Sequence, residues 1–91
     1  MKLVPTRDYA KFDVEIMKTK TFREASEEAQ ALYFHLNFYA DSAGFVTRDE
    51  ALEIAKRYGA SKHALNCLLD IGYLDEVCGQ YHISHWKCHN A

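Results

Sequence analysis

The spacing of apolar positions changes along this 91-residue chain, and each change marks an element. Between residues 26 and 40, Ala29, Leu32, Tyr33, Leu36, Tyr39 and Ala40 recur at the spacing of one helix face. Phe34 and Phe38 widen that face, which predicts a helix buried on more than one side. Ser26 is a good N-cap, and Glu27 and Glu28 fall in the first turn, where the helix dipole favours carboxylates. The helix is expected to stop at Asp41-Ser42-Ala43-Gly44, with Asp41 capping its end or the following turn. Phe45-Val46 is then expected to form a short strand.

Thr47-Arg48-Asp49-Glu50 has the form of a capping box, in which the Thr47 hydroxyl and the Glu50 carboxylate each accept from the other residue's amide. The helix it starts is expected to run to about Tyr58, with Ala51, Leu52, Ala55 and Tyr58 on one face and Gly59 ending it. Gly59-Ala60 and a capping Ser61 leave a turn of about three residues, the length expected inside a helix-turn-helix. In residues 61–69, Ala64, Leu65, Leu68 and Leu69 form a buried stripe, while Lys62, His63 and Asn66 face outward; Gly72 ends this helix. Residues 73–77 and 81–86 are β-prone runs around Cys78-Gly79-Gln80, which predicts a tight hairpin. Upstream, residues 1–6 are expected to be an extended arm, with Pro5 discouraging a helix. Residues 9–25 are expected to dock as one short helix or irregular segment through Phe12, Ile16, Met17 and Phe22. The sum is a single domain over 1–91, mainly α with a small β-hairpin (α+β): a winged helix-turn-helix whose recognition helix is residues 61–69.

Composition agrees with a globular chain: 48% of residues are hydrophobic and 13% aromatic. No apolar run approaches the length that spans a bilayer, and the N-terminus has no secretory core, so a cytoplasmic protein without membrane association is expected. Three cysteines, an odd number, point to reduced thiols, with Cys67 as a small core residue. Charge changes the picture more. The formal net charge is −2, but residues 1–23 hold six Lys/Arg against three Asp/Glu and residues 24–91 hold five against ten. Any basic patch is therefore local, whereas duplex binders draw much of their affinity from phosphate neutralisation.

In a duplex-reading arrangement, Ser61, Lys62, His63 and Asn66 would enter a major groove, Asn66 being able to bond an adenine edge bidentately. Arg48, Lys56 and Arg57 would meet phosphates, with Gln80 at the wing tip and Lys87 beyond the hairpin. The alternative use of the same residues is an ordinary solvated face. Asp75 and Glu76 make the wing acidic, and no Lys or Arg lies between residues 63 and 86, so protein contact is the alternative use of the hairpin. Cys78, His82, His85, Cys88 and His89 are dense, but His82 and His85 would alternate across a strand, and no metal site is expected. His35 is expected in the core or an interface, bonded to backbone. No nucleophile elbow, P-loop, zincin motif or carboxylate pair occurs; an enzyme, a cofactor and a small-molecule substrate are not expected. The aromatic side chains fall mostly at core spacing, so packing accounts for them better than base stacking.

Several of these stretches also carry a resemblance. Leu32-Tyr33-Phe34-His35-Leu36, then Ala40-Asp41 and Gly44-Phe45, resemble a stretch of phage replication-initiation proteins, the replisome organisers related to the N-terminal domains of DnaD-like primosome proteins. Gly59-Ala60-Ser61 is similar to their turn before the recognition helix. Ile83, Ser84-His85-Trp86 and His89-Asn90 resemble their closing strand. The similarity spans residues 14–90. It implies a winged-helix domain that binds double-stranded DNA at a phage origin, or helps assemble replication proteins there by contact with them or by self-association, in the host cytoplasm.

Overall fold

The computed structural model describes residues 3–6 and 9–91. Two single-turn helices, α1 (Val14–Met17) and α2 (Lys20–Arg23), precede the long helix α3 (Glu27–Tyr39). Strand β1 (Phe45–Thr47), helices α4 (Arg48–Arg57) and α5 (Lys62–Asp70), strands β2 (Leu74–Val77) and β3 (Gln80–Ile83), and a last turn α6 (Trp86–His89) follow. The strands form one antiparallel sheet in the order β1-β3-β2. The architecture is α+β. Among the described residues no helix is long and apolar enough to cross a membrane.

The long helix is the centre of the core. Ala29, Leu32, Tyr33 and Leu36 on α3 have no exposed surface, and α5 lays Ala64, Leu65 and Leu68 on that helix. The expected caps account for its ends: the Ser26 hydroxyl accepts from the Ala29 amide, and Asp41 Oδ1 accepts from the amides of Ala43 and Phe45. The Thr47–Glu50 capping box is present in full. Gly59 and Gly72 end their helices at φ +74° and +80°.

Several expectations are corrected. Phe34 does not extend the buried face, being 39% exposed, and Phe38 is only half-buried. On α4 the buried residues are Ala51, Ile54 and Ala55; Leu52 and Tyr58 are exposed, because α4 touches the core along a stripe shifted toward Ile54. Leu69 and Cys67 are half-buried rather than core. The docking segment of residues 9–25 is two short helices, each with its own cap: Asp13 accepts from the amides of Glu15 and Ile16, and Thr19 from that of Phe22. Of the arm expected over residues 1–6, Met1 and Lys2 lie outside the described residues; Thr6 lies along the end of α3, its amide donating to Phe38 O and its hydroxyl to Ala40 O.

The hairpin turn is tighter than expected. Val77 pairs with Gln80, so only Cys78 and Gly79 are in the loop, and both have positive φ (51° and 79°), the sign pattern of a type I′ turn. The second strand also ends early. Residues 84–86 do not continue it; β3 stops at Ile83 and Trp86 begins α6. The reason lies at Gly44, whose φ is +89° and where an added Cβ would sit 2.5 Å from Trp86 Cγ. The chain turns so that the indole caps this glycine and donates from Nε1 to Ser42 O at 3.1 Å.

Gly44→Ala is therefore expected to destabilise the fold by about 2–4 kcal/mol, combining backbone strain at positive φ with overpacking against the indole. Urea unfolding measures this; a loss under about 0.5 kcal/mol would show that the Trp86 contact constrains nothing.

Candidate nucleic-acid interface

The outward face of α5 is where the sequence analysis placed a reading surface. Lys62, His63 and Asn66 are exposed there, opposite Ala64, Leu65 and Leu68. Ser61 differs from expectation. It precedes the helix but its hydroxyl makes no capping bond; its amide instead donates to Glu28 Oε1 at 2.8 Å. The start of α5 is thus tied to the first turn of α3 by a side chain from the other helix.

Beside this face lies a cleft of about 330 Å³ lined by Arg48, Leu52, Lys62, Asn66, Leu69, Glu76 and Tyr81. Strand alternation explains its acidic wall. Leu74 and Glu76 lie on one face of β2, the face shared with Tyr81 and Ile83 of β3, so Glu76 projects toward α4 rather than away from it. There it forms an ion pair with Arg48, both side chains about half exposed. The Arg48 guanidinium is also beside Tyr81, and these partners raise its affinity for its proton further, Glu76 first. Glu76, Tyr81, Leu52 and Leu69 were absent from the expected site. The signal for Glu76 was available: two residues from Leu74 in a strand means the same face.

The remaining expected contacts are dispersed. Gln80 is not at the tip but in the middle strand, paired with both Val77 and Thr47, next to the first residue of α4. Arg57 turns away from the cleft, donating from one terminal nitrogen to Leu3 O at 3.0 Å and to the Tyr39 hydroxyl at 3.3 Å. Lys56 lines a second cleft, about 620 Å³, with Leu3, Asp49, Glu50, Leu52, Glu53 and Arg57; three carboxylates share its lining with two cations. Lys87 is exposed on α6. The structure thus brings Arg48, Lys62 and Asn66 together, and places Arg57 elsewhere.

The histidines and cysteines of the C-terminal region do not assemble. His82 lies on the sheet face away from Ile83, its ring 4.6 Å from that of Phe45; His85 meets Tyr73; His89 is buried against Tyr33. The expectation that His82 and His85 alternate along one strand is corrected, since β3 ends between them. Among the described residues no group of three His, Cys, Asp or Glu side chains could hold a metal ion. His35 is likewise not a core residue bonded to backbone: it is half-buried and stacks on Tyr58, ring centroids 3.6 Å apart and 5° from parallel, and this partial burial lowers its affinity for a proton. Tyr58 in turn is hydrogen-bonded to Tyr39 at 2.8 Å. The chain matches no protein-family profile, no curated protein and no solved structure.

The two helix starts give a paired test. Thr47→Ala removes a cap bond and half of a capping box, and is expected to cost about 1 kcal/mol. Ser61→Ala removes a hydroxyl that caps nothing, and is expected to change stability by less than about 0.3 kcal/mol in the same thermal or urea unfolding series. Equal losses at both sites would contradict the assignment of the Ser61 anchor to its amide.

Proposed function

We propose that the chain is a winged-helix domain that binds double-stranded DNA, with α5 entering the major groove and the β2–β3 hairpin as the wing. The observation that carries this reading is the free face of α5. A nine-residue helix follows a short glycine turn after α4 and holds Lys62, His63 and Asn66 outward, with its apolar side seated on α3. Asn66 supplies a bidentate donor–acceptor edge, and Lys62 a phosphate partner at the helix N-terminus. Arg48 adjoins both across the cleft. The likeness of residues 32–45 and 83–90 to phage replication initiators supports placing this DNA at a replication origin, with replication proteins or further copies of the chain as partners.

A second reading, a winged helix that contacts protein and leaves DNA alone, is favoured by one specific observation. Arg48 is already paired with Glu76, so the cation that shares the cleft with Lys62 is neutralised within the domain. On the DNA reading the affinity of one domain is accordingly modest, and occupancy comes from several domains on repeated sites.

Fluorescence anisotropy of the domain on labelled duplex DNA across a salt series separates the two. The DNA reading expects log K to fall with log salt at a slope of about −2, the signature of roughly two phosphate contacts. It also expects Lys62→Ala with Asn66→Ala to weaken binding at least about tenfold without loss of fold. Glu76→Gln is expected to strengthen binding and steepen the slope by about 0.9, because it releases the Arg48 guanidinium. No binding at low salt in the micromolar range, with Glu76→Gln equally inert, refutes the DNA reading and leaves protein contact.

A further inference from the structure

The DNA reading makes no use of His89, a buried histidine. His89 is 4% exposed, and both of its ring nitrogens are engaged. The Asp13 amide donates to Nδ1 at 2.8 Å, and Nε2 is 2.6 Å from the Tyr33 hydroxyl. An amide N–H cannot accept, so Nδ1 carries no proton in this arrangement; the neutral ring holds its hydrogen on Nε2 and donates it to Tyr33 Oη. The imidazole therefore bridges residues far apart in the chain: Asp13 caps α1, Tyr33 is central in α3, and His89 ends α6.

We infer that His89 is a proton-sensitive clasp: neutral, it holds the start of α1 against α3, and protonation at Nδ1 opens that contact while the α3–α5 core and the sheet stay folded. A proton on Nδ1 would point at the Asp13 N–H, turning a hydrogen bond into a repulsion between two donors. The rest of the attachment is graded. The α1 turn buries no residue fully, and its four residues cannot hold a helix alone. By contrast α2 is anchored by buried Phe22, stacked on Tyr73, and Thr19 bonds to the Tyr73 hydroxyl at 2.7 Å. The same Tyr73 hydroxyl also donates to Ile16 O and holds the end of α1, so opening is confined to the stretch from Phe12 to Glu15, and the Phe12 ring contact to His89 (5.4 Å) would go with it.

The ionisable surroundings act in both directions. Burial and the adjacent His85 disfavour the charged ring, and the Asp13 carboxylate favours it; the net direction is a lowered proton affinity. From α3 the facing group is Tyr33, whose own proton is held more tightly by burial; Tyr73 from the start of the hairpin and Cys88 from α6 lie beside that phenol. The sign follows. An unfolded chain protonates His89 below about pH 6.5, where the folded chain still resists it. The clasp contributes fully above that value and is lost as pH falls through the lower folded-state pKa.

The test is NMR of the wild-type domain from about pH 7.5 to about pH 5, with ring nitrogen shifts read for His89 and, as the reference, for a histidine in a short unstructured peptide, whose pKa is about 6.5. At the upper end His89 is expected as the Nε2–H tautomer. On acidification the Asp13 amide should shift with the His89 midpoint, below that of the reference peptide. Heteronuclear NOEs should fall over residues 12–15 and hold over residues 27–39. His89→Asn keeps a non-titrating acceptor near the Nδ1 position and should abolish this pH dependence. The inference is overturned if His89 titrates with the reference peptide, if Nδ1 carries the proton at neutral pH, if the Asp13 amide follows another group, or if α3 loosens together with α1. Should the Asn variant fail to fold, the wild-type titration decides alone.

Discussion

Tyr33 sets the central constraint. Its side chain has no exposed surface, and a phenol so placed must keep its hydroxyl hydrogen-bonded or bear the cost of desolvation. From a distant part of the chain, His89 meets that hydroxyl at 2.6 Å, 56 positions later. Satisfying one buried atom therefore fixes where the C-terminal turn goes, and the second nitrogen of the same ring then fixes where the chain enters α1. Around this node the rings of Phe22, Tyr33 and Tyr73 meet within 5.5 Å, which seats α2 and the start of the hairpin on α3. Residues 14–23 hold two helices of four residues each, too short to persist alone, so their structure is borrowed from this cluster.

What could be read from the sequence follows how local each determinant is. The capping box at Thr47, the Asp41 turn and the glycines ending α4 and α5 depend on a few neighbouring residues, and they appear where expected. The failures depend on distant partners. Nothing local to residues 84–86 says that the strand must break; the requirement comes from Gly44, some 40 positions earlier, which leaves room for an indole and no Cβ. Leu52 and Ile54 are equally apolar neighbours on α4, and only the angle at which that helix meets the core decides which is buried. Two ring nitrogens at His89 are spoken for by residues 13 and 33, a pairing that spacing alone cannot suggest.

The candidate site divides the same way. That Lys62, His63 and Asn66 share a face opposite Ala64, Leu65 and Leu68 follows from helical period, and the structure has that arrangement. Which cations would join them does not follow from period. Arg57 looked like a neighbour by sequence, but its side chain reaches Leu3 and Tyr39 on the other side of α4. Arg48 is at the cleft, yet its availability depends on Glu76, a residue that enters through the pairing of β2 with β3.

That ion pair bears on function more through competition than through stability. Both partners are about half exposed, and a pair in such high-dielectric surroundings contributes little to folding. The same weakness makes it exchangeable: a phosphate offers Arg48 bidentate oxygens of at least equal quality, and release of condensed counterions adds a gain that Glu76 cannot match. Exchange, however, leaves Glu76 facing the incoming phosphate unless the hairpin shifts, and like charges at that range oppose binding. An acidic hairpin beside a cationic cleft therefore lowers affinity for any polyanion without abolishing it, and does so most at low salt, where the repulsion is least screened and the counterion release forgone at Arg48 is worth most. The physical difference between a DNA-reading and a protein-contacting surface here reduces to whether Arg48 leaves Glu76, because the rest of the α5 face is compatible with both.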